Sequence, residues 1–101
     1  ASVASHARAH GLLAAGSARY LLVHYSVLRA GAWTRPLDTP RVMIMGGGTL
    51  YVGGRDQVVA LDAATGDILT TLDVRGTVYS LAVANGRLIA STSSGNIYAF
   101  Q

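Results

Sequence analysis

The sequence predicts an all-β protein built from four-stranded antiparallel meanders. Short runs rich in β-branched and aromatic residues alternate with glycine and asparagine turns through the second half of the chain, a spacing typical of antiparallel strands. Lysine and glutamate, which favour surface helices, are both absent. Half of the 101 residues are hydrophobic and 13% are charged, so the chain is too apolar to be disordered.

The strands of the second half follow one another with little connecting chain. Their predicted ranges are residues 50–52, 58–61, 68–74, 77–84, 87–92 and 96–100. Arg75-Gly76 is expected to break the chain between the third and fourth of these runs. Asn85-Gly86 is a two-residue hairpin signal, because both residue types accept a positive φ. In the turn over 62–67, Asp62 is expected to accept backbone N–H groups and Gly66 to adopt a left-handed conformation.

The first half of the chain is open to two interpretations. Residues 4–30 are rich in alanine, leucine and arginine, so His6 to Arg29 forms one amphipathic helix on propensity alone. Gly11 and Gly16 interrupt that helix, and an internal repeat favours strands. We therefore predict strands in this segment.

The repeat appears when residues 2–15 are placed over residues 77–90 without gaps. Gly11 then aligns with Gly86 and Leu13 with Leu88. Each complete repeat contains four strands, an arrangement typical of a β-propeller blade. The predicted division is a degenerate first blade with a connector (1–40), a second blade (41–76) and a third blade that lacks its last strand (77–101). The Arg35-Pro36-Leu37-Asp38-Thr39-Pro40 segment is interpreted as the connector.

This arrangement amounts to about two and three-quarter blades. Propellers close with roughly 4–8 blades, so the chain is not a closed ring alone. We expect it to be a portion of a larger propeller, or else to assemble with further copies of itself. The start, Ala1-Ser2-Val3-Ala4, has no initiator methionine and no signal-peptide pattern, which agrees with mature or excised material.

Two segments resemble the blade repeat of the pyrroloquinoline-quinone (PQQ)-like, quinoprotein-type propeller family. One is Leu50-Tyr51-Val52-Gly53-Gly54 together with residues 59–66, and the other comprises residues 78–88 and 94–100. The resemblance implies a superfamily that contains quinoprotein dehydrogenases and also cofactor-free propellers, among them a lipoprotein that scaffolds outer-membrane barrel assembly. Because its members are mostly exported, it also implies a periplasmic or extracytoplasmic location.

The resemblance also implies a docking motif between blades. In the dehydrogenases, Ala-x-Asp-x-x-x-Gly-x-x-x-Trp places the tryptophan against the neighbouring blade. Ala60, Asp62 and Gly66 match this motif, but Thr70 stands at the tryptophan position. Trp33 lies near the expected place in the first blade, without the Asp and Gly spacing.

The chemistry-bearing residues do not converge on a catalytic pattern. A quinoprotein site needs a metal-binding carboxylate and amide beside a carboxylate base, whereas the acids here fall in turns or near a strand end (Asp56, Asp62, Asp67 and Asp73). There is no cysteine. We therefore predict no catalytic, cofactor-binding or metal-binding residues, and no enzyme activity.

Three weaker candidates for a functional site are also interpreted as structural: a histidine pair, a set of serines and a glycine run. His6 and His10 share a face with metal-pair spacing, but His24 lies fourteen residues further on and supplies no plausible third ligand. Three serines lack a recognisable His and Asp arrangement; they are Ser80, Ser91 and Ser93. Gly46-Gly47-Gly48 precedes a strand rather than a helix, so it is a hairpin and not a phosphate loop.

Charge adds little about partners. Residues 1–50 contain five arginines and one aspartate, or +4, and residues 51–101 contain three arginines and four aspartates, or −1. The arginines are spread singly, so we interpret them as surface residues and do not expect nucleic-acid binding. The composition leaves one alternative function, an arginine-rich nucleic-acid-binding protein with a helical first half. No run approaches the roughly 20 apolar residues of a membrane helix.

The function predicted from the sequence is a non-enzymatic propeller portion that acts as a scaffold or protein-interaction module. Its expected partners are further blades or copies, and a protein. The alternative is a structural fragment of a quinoprotein dehydrogenase whose active site lies in other blades.

Overall fold

A computed structural model describes residues 6–8, 12–15, 18–23, 25–37, 40–84 and 86–100, with the backbone alone described for residues 6–8, 12–15, 18 and 23. All regular structure in these residues is β-strand, which confirms the all-β prediction and strands in place of the alternative helix. The strands are β1 (His6–Arg8), β2 (Leu12–Ala15), β3 (Ala18–Val23), β4 (Ser26–Arg29), β5 (Trp33–Pro36), β6 (Val42–Gly46), β7 (Thr49–Gly53), β8 (Arg55–Asp62), β9 (Ile68–Ala84), β10 (Arg87–Thr92) and β11 (Ile97–Phe100).

The strands form three consecutive antiparallel meanders. The first meander is the four-stranded sheet β2-β3-β4-β5. The second meander is β6, β7, β8 and the first part of β9, and the third is the rest of β9 with β10 and β11. Because β9 is shared, the second and third meanders belong to one seven-stranded sheet in the order β1-β6-β7-β8-β9-β10-β11.

The break expected at Arg75-Gly76 is absent from the strand assignment, since β9 runs for 17 residues. The backbone does turn there, because Gly76 has φ +88°. Pairing with β8 continues across the turn through Arg55 and Thr77, and β9 then pairs with β10 from Val78 onward. One strand therefore serves as the last strand of one meander and the first of the next.

The first meander does not follow the register of the repeat alignment. That alignment made the segment before Gly11 the first strand of the first blade, but β1 pairs with β6 of the second meander, with Ala7 opposite Met43. In the sheet, the pair Ala15–Ala18 occupies the place of Ala84–Arg87 in the third meander. Three further identities in that alignment are alanines, namely Ala7 with Ala82, Ala9 with Ala84 and Ala15 with Ala90. Alanines do not specify register, whereas burial of large side chains does. The blade boundaries at residues 40 and 76 stay predictions.

The turns confirm the local chemistry expected of them. The Asp62 carboxylate accepts from the backbone N–H of Ala64 at 2.9 Å and of Thr65 at 3.3 Å. Gly66 and Gly86 both have positive φ, at +78° and +74°. Gly46 pairs with Thr49, which makes a tight two-residue hairpin of the glycine run. The predicted connector is shorter than expected because Arg35 and Pro36 belong to β5; Asp38 and Thr39 lie outside the described residues.

The core is divided between two interfaces, one on each side of the second meander. Because alternate residues of a strand face opposite sides, Met43 and Met45 face the first meander, while Val42 and Ile44 face the third. The first interface contains Tyr20, Leu22, Val27, Met43, Met45, Leu50, Val52, Val59, Leu61 and Ala63, with Trp33 and Leu37 at its edge. The second interface contains Val42, Ile44, Val58, Val74, Val78, Leu81, Leu88 and Ala90, with Tyr51, Leu72, Val83, Tyr98 and Phe100 at its edge.

The architecture is thus that of partial propeller blades packed face to face. The second meander is buried on both sides, whereas the first and third each pack one face against it. In the third meander, β11 is the terminal strand of the seven-stranded sheet.

Candidate functional site

The first interface is held together where the Trp33 ring covers the turn over 62–67. A Cβ atom added at Gly66 would lie 2.5 Å from Cδ2 of Trp33, closer than any side chain allows. Gly66 also has the left-handed φ of +78°, which side chains with a Cβ resist. Both the close approach and the backbone conformation therefore require glycine at this position.

One backbone carbonyl, that of Ala63, accepts hydrogen bonds from three side chains of the first meander. The Tyr20 hydroxyl donates at 3.2 Å, the Trp33 indole Nε1 at 3.1 Å and the Arg29 guanidinium Nη1 at 3.4 Å. The Tyr20 and Trp33 ring centroids are 6.1 Å apart, and the Arg29 guanidinium carbon lies 5.9 Å from the Tyr20 centroid. Buried carbonyls need partners, and here the partners belong to the neighbouring meander.

Arg35 adds a second clamp to the same turn. Its Nε donates to the Gly66 carbonyl at 2.7 Å, and its Nη2 lies 3.5 Å from Oδ1 of Asp67. The Asp67 side chain is 72% exposed, so the ion pair is solvent-screened and the bond to the carbonyl is the stronger contact. Two strand residues on one face, Trp33 and Arg35, thus hold this turn.

The second interface lacks this clamp. In the first meander, Tyr20, Arg29 and Trp33 form one cross-strand row. The equivalent row of the second meander is Tyr51, Ala60 and Thr70. The sheet register therefore places Thr70 at the Trp33 position, in agreement with the position expected from the docking motif.

Beside Thr70, a groove of about 520 Å³ lies between the second and third meanders. We call it the Thr70 groove. Its lining includes Tyr51, Thr70 and Leu72 from the second meander and Arg87, Leu88 and Phe100 from the third.

At the other end of these strands, a polar network joins the second and third meanders. The Ser94 hydroxyl donates to the Arg75 carbonyl at 2.8 Å, and the Tyr98 hydroxyl accepts from the Arg75 N–H at 3.0 Å. The Ser93 hydroxyl accepts from the Thr77 N–H at 3.0 Å. These side chains hold the bend at Gly76, so Ser93 has a structural contact.

The structure does not bring the other residues considered from the sequence into one site. Ser80 and Ser91 face each other across β9 and β10. His6 lies in β1, and its side chain is not among those described; His10 and His24 lie outside the described residues. Within the described ranges, no three His, Asp or Glu side chains are grouped closely enough to hold a metal ion. The same residues include no helix long and apolar enough to cross a membrane.

Sequence reasoning missed Tyr20, Arg29 and Arg35. It treated these arginines as isolated surface charges, but both bind the turn of the neighbouring meander. One signal in the sequence was available. Tyr20 and Tyr51 occupy the same position in the first and second meanders, so once strand pairing is known they identify the corresponding cross-strand rows of residues.

Comparison with known proteins found one match, to a family model. The family model described as outer membrane protein assembly factor BamB matches residues 8–101. No curated protein and no solved structure matches the chain significantly.

Proposed function

The chain belongs to the family described as outer membrane protein assembly factor BamB, and from that premise we propose that it is a non-enzymatic propeller portion that acts as a scaffold or protein-interaction module. It needs other blades or further copies to complete a ring. The family is associated with the periplasm and with outer membrane assembly. A periplasmic location is therefore part of the proposal.

The observation that carries the proposal is the difference between two equivalent positions. Val58 lies opposite Gly53 and is fully buried by the third meander. Ile97 lies opposite Ser91, the corresponding place in the third meander, and is 74% exposed. An isoleucine in this position gains its full burial free energy only when another blade, copy or partner covers it.

The contacts of the carboxylates support a structural role. Asp62 caps its own turn, and Asp67 pairs with Arg35. Asp56 adopts a positive φ of 62°, and its Oδ1 accepts from the Gly76 N–H at 2.9 Å. Each of these acids is accounted for by a turn or an interface.

The test combines solution mass with an assay for oxidation. Light scattering at several concentrations should give species larger than one chain, and Ile97→Asp should remove them because a charge cannot be buried unpaired. Ile68→Asp is the matched control, since Ile68 is also exposed, at 49%. A monodisperse, cooperatively folded monomer at every concentration would contradict the need for further blades. Dye-linked alcohol oxidation in the presence of added quinone would contradict the non-enzymatic role.

A structural fragment of a quinoprotein dehydrogenase is the second candidate, favoured by the contact of Trp33 with Gly66. This contact reproduces the inter-blade docking that the dehydrogenase resemblance implies. If the chain is part of a longer protein, docking tryptophans and an adjacent cysteine pair in the neighbouring blades would favour this candidate. Their absence there would favour the scaffold.

A further inference from the structure

The third meander is joined to the second by a single bend in one strand. β9 runs from Ile68 to Ala84 and turns at Gly76, where φ is +88°, so no loop separates the two meanders there. A short connection that holds a strained backbone is the kind of hinge at which copies of a chain exchange a structural element.

Side chains bind the backbone N–H groups of the bend. The β8–β9 register passes from Asp73 to Thr77, so Arg75 and Gly76 have no partner in it. The N–H of Gly76 donates instead to a carboxylate oxygen at 2.9 Å, and the N–H of Arg75 donates to the Tyr98 hydroxyl at 3.0 Å. Both hydrogen bonds are exposed, so water can replace them at small cost when the bend opens.

The interface that an exchange would use is already formed inside the chain. The third meander covers the second with four buried side chains, those of Val78, Leu81, Leu88 and Ala90. If two chains exchange their third meanders, these contacts form again between the copies. The exchanged dimer then differs from two closed chains chiefly at the bend.

The sequence on both sides of Gly76 suits a straight strand. In two copies related by a two-fold axis at Gly76, antiparallel β9 strands place Val74 opposite Val78 and Arg75 opposite Thr77. A pair of β-branched side chains stabilises such a ladder, and neither pair sets like charges together. The N–H groups that the bend leaves to side chains would then enter strand pairing.

We propose that Gly76 is a hinge at which this chain exchanges its third meander with a second copy. The partner is another copy because it presents the same buried residues that the third meander covers in its own chain. Since glycine tolerates the φ of the bend, the closed chain dominates and the exchanged dimer is a minor species, too scarce to change the solution mass. The inference goes beyond the proposed function, which concerns the exposed face around Ile97.

The test traps the exchanged dimer with a disulfide, in a chain whose natural sequence contains no cysteine. A Cβ atom added at Gly46 of the second meander would lie 3.2 Å from Cγ2 of Val83 in the third, so cysteines at these positions are within disulfide reach. Chains with Gly46→Cys and chains with Val83→Cys are refolded together and oxidised in air. A non-reducing denaturing gel should show a cross-linked dimer, and neither variant alone should give one.

A second substitution locates the hinge. Gly76→Ala in both chains should raise the cross-linked fraction about fivefold, because alanine resists the positive φ of the bend and accepts a straight strand. Gly95→Ala is the matched control, since Gly95 has the same φ of +88° but lies between β10 and β11 with open space around its missing Cβ. It should leave the fraction unchanged.

Three results would overturn the proposal. Absence of a cross-linked dimer in the mixture would show that the third meander is not exchanged. Equal fractions for Gly76→Ala and Gly95→Ala would show that the hinge is elsewhere. Loss of the cross-link in Ile97→Asp would assign the dimer to the exposed face, whereas an exchanged dimer keeps it. The solution mass tests the proposed function and the cross-link tests the hinge, so either can fail without the other.

Discussion

The two interfaces of this molecule bury similar apolar faces but are fastened differently. At the first, the ring of Trp33 and the guanidinium groups of Arg29 and Arg35 reach across to the turn over 62–67 of the second meander. At the second, the corresponding row ends in Thr70, and a groove of about 520 Å³ remains. The difference shows that packing of alternate apolar residues is sufficient to stack two meanders, while the row of Tyr20, Arg29 and Trp33 adds hydrogen bonds across the first interface.

The largest expected effect on the free energy of unfolding is that of Trp33→Ala, which removes the indole ring and its hydrogen bond to the Ala63 carbonyl. Unfolding by denaturant should show a loss of about 3 kcal/mol, since truncation of a packed aromatic residue costs roughly that much. Thr34→Ala, at an exposed neighbour on the same strand, is the control. A loss no larger than that of the control would mean that the clamp contributes nothing to stability.

The next effect is that of Gly66→Ala, which should cost about 2 kcal/mol through backbone strain and the clash with Trp33. Gly31→Ala is the matched control, because Gly31 has φ +77° and open space around its missing Cβ. It should show the cost of strain alone, about 1 kcal/mol. In a chain that already carries Trp33→Ala, the cost at Gly66 should fall to that at Gly31. An unchanged cost would show that the ring does not constrain Gly66.

A smaller effect on stability, of opposite sign, is expected for Thr70→Trp, which adds an indole ring to the lining of the Thr70 groove. Filling the groove should raise the free energy of unfolding by about 1 kcal/mol, the usual yield of a cavity-filling substitution. Thr71→Trp adds the same side chain on the opposite face and should change stability less. Equal effects of the two variants would mean that the gain does not come from the groove.

The smallest effect is that of Asp67→Asn, which removes the ion pair with Arg35. Because the pair is exposed and 3.5 Å long, the expected loss in chemical denaturation is less than about 0.5 kcal/mol, and it should vanish in high salt. Arg35→Gln should cost more than Asp67→Asn, since it also removes the bond to the Gly66 carbonyl. The reverse order would identify the ion pair as the main contact of Arg35.

Local chemistry explains how much of the fold was predictable. Asp62, Gly66 and Gly86 determine their turns through hydrogen bonds and φ preferences that involve neighbouring residues only. The uninterrupted apolar run in Val42–Gly46 likewise indicates a strand that is buried on both faces, as it is in the structure. The pairing of β1 with β6 was not predictable, because the alanine-rich sequence before Ala15 fits more than one register.

The candidate site was predictable only where a local sequence motif marks it. The docking motif identified Thr70 as the position that lacks a tryptophan, and Trp33 as a ring near its expected place. It did not identify Tyr20, Arg29 or Arg35. Their partners are the backbone carbonyls of Ala63 and Gly66, which lie 31 to 43 residues away in sequence. Backbone carbonyls are identical in every residue, so no sequence pattern marks the one that will accept these bonds.

The sequence by itself determined that this chain forms short antiparallel strands, where they turn and which residues are apolar, because propensity, turn geometry and alternation act between neighbouring residues. Only the tertiary structure decided which strands share a sheet, which carbonyl binds the Trp33 indole and where the Thr70 groove opens. These features depend on how whole faces pack against each other, and the free energy of that packing is a property of pairs of meanders rather than of any segment.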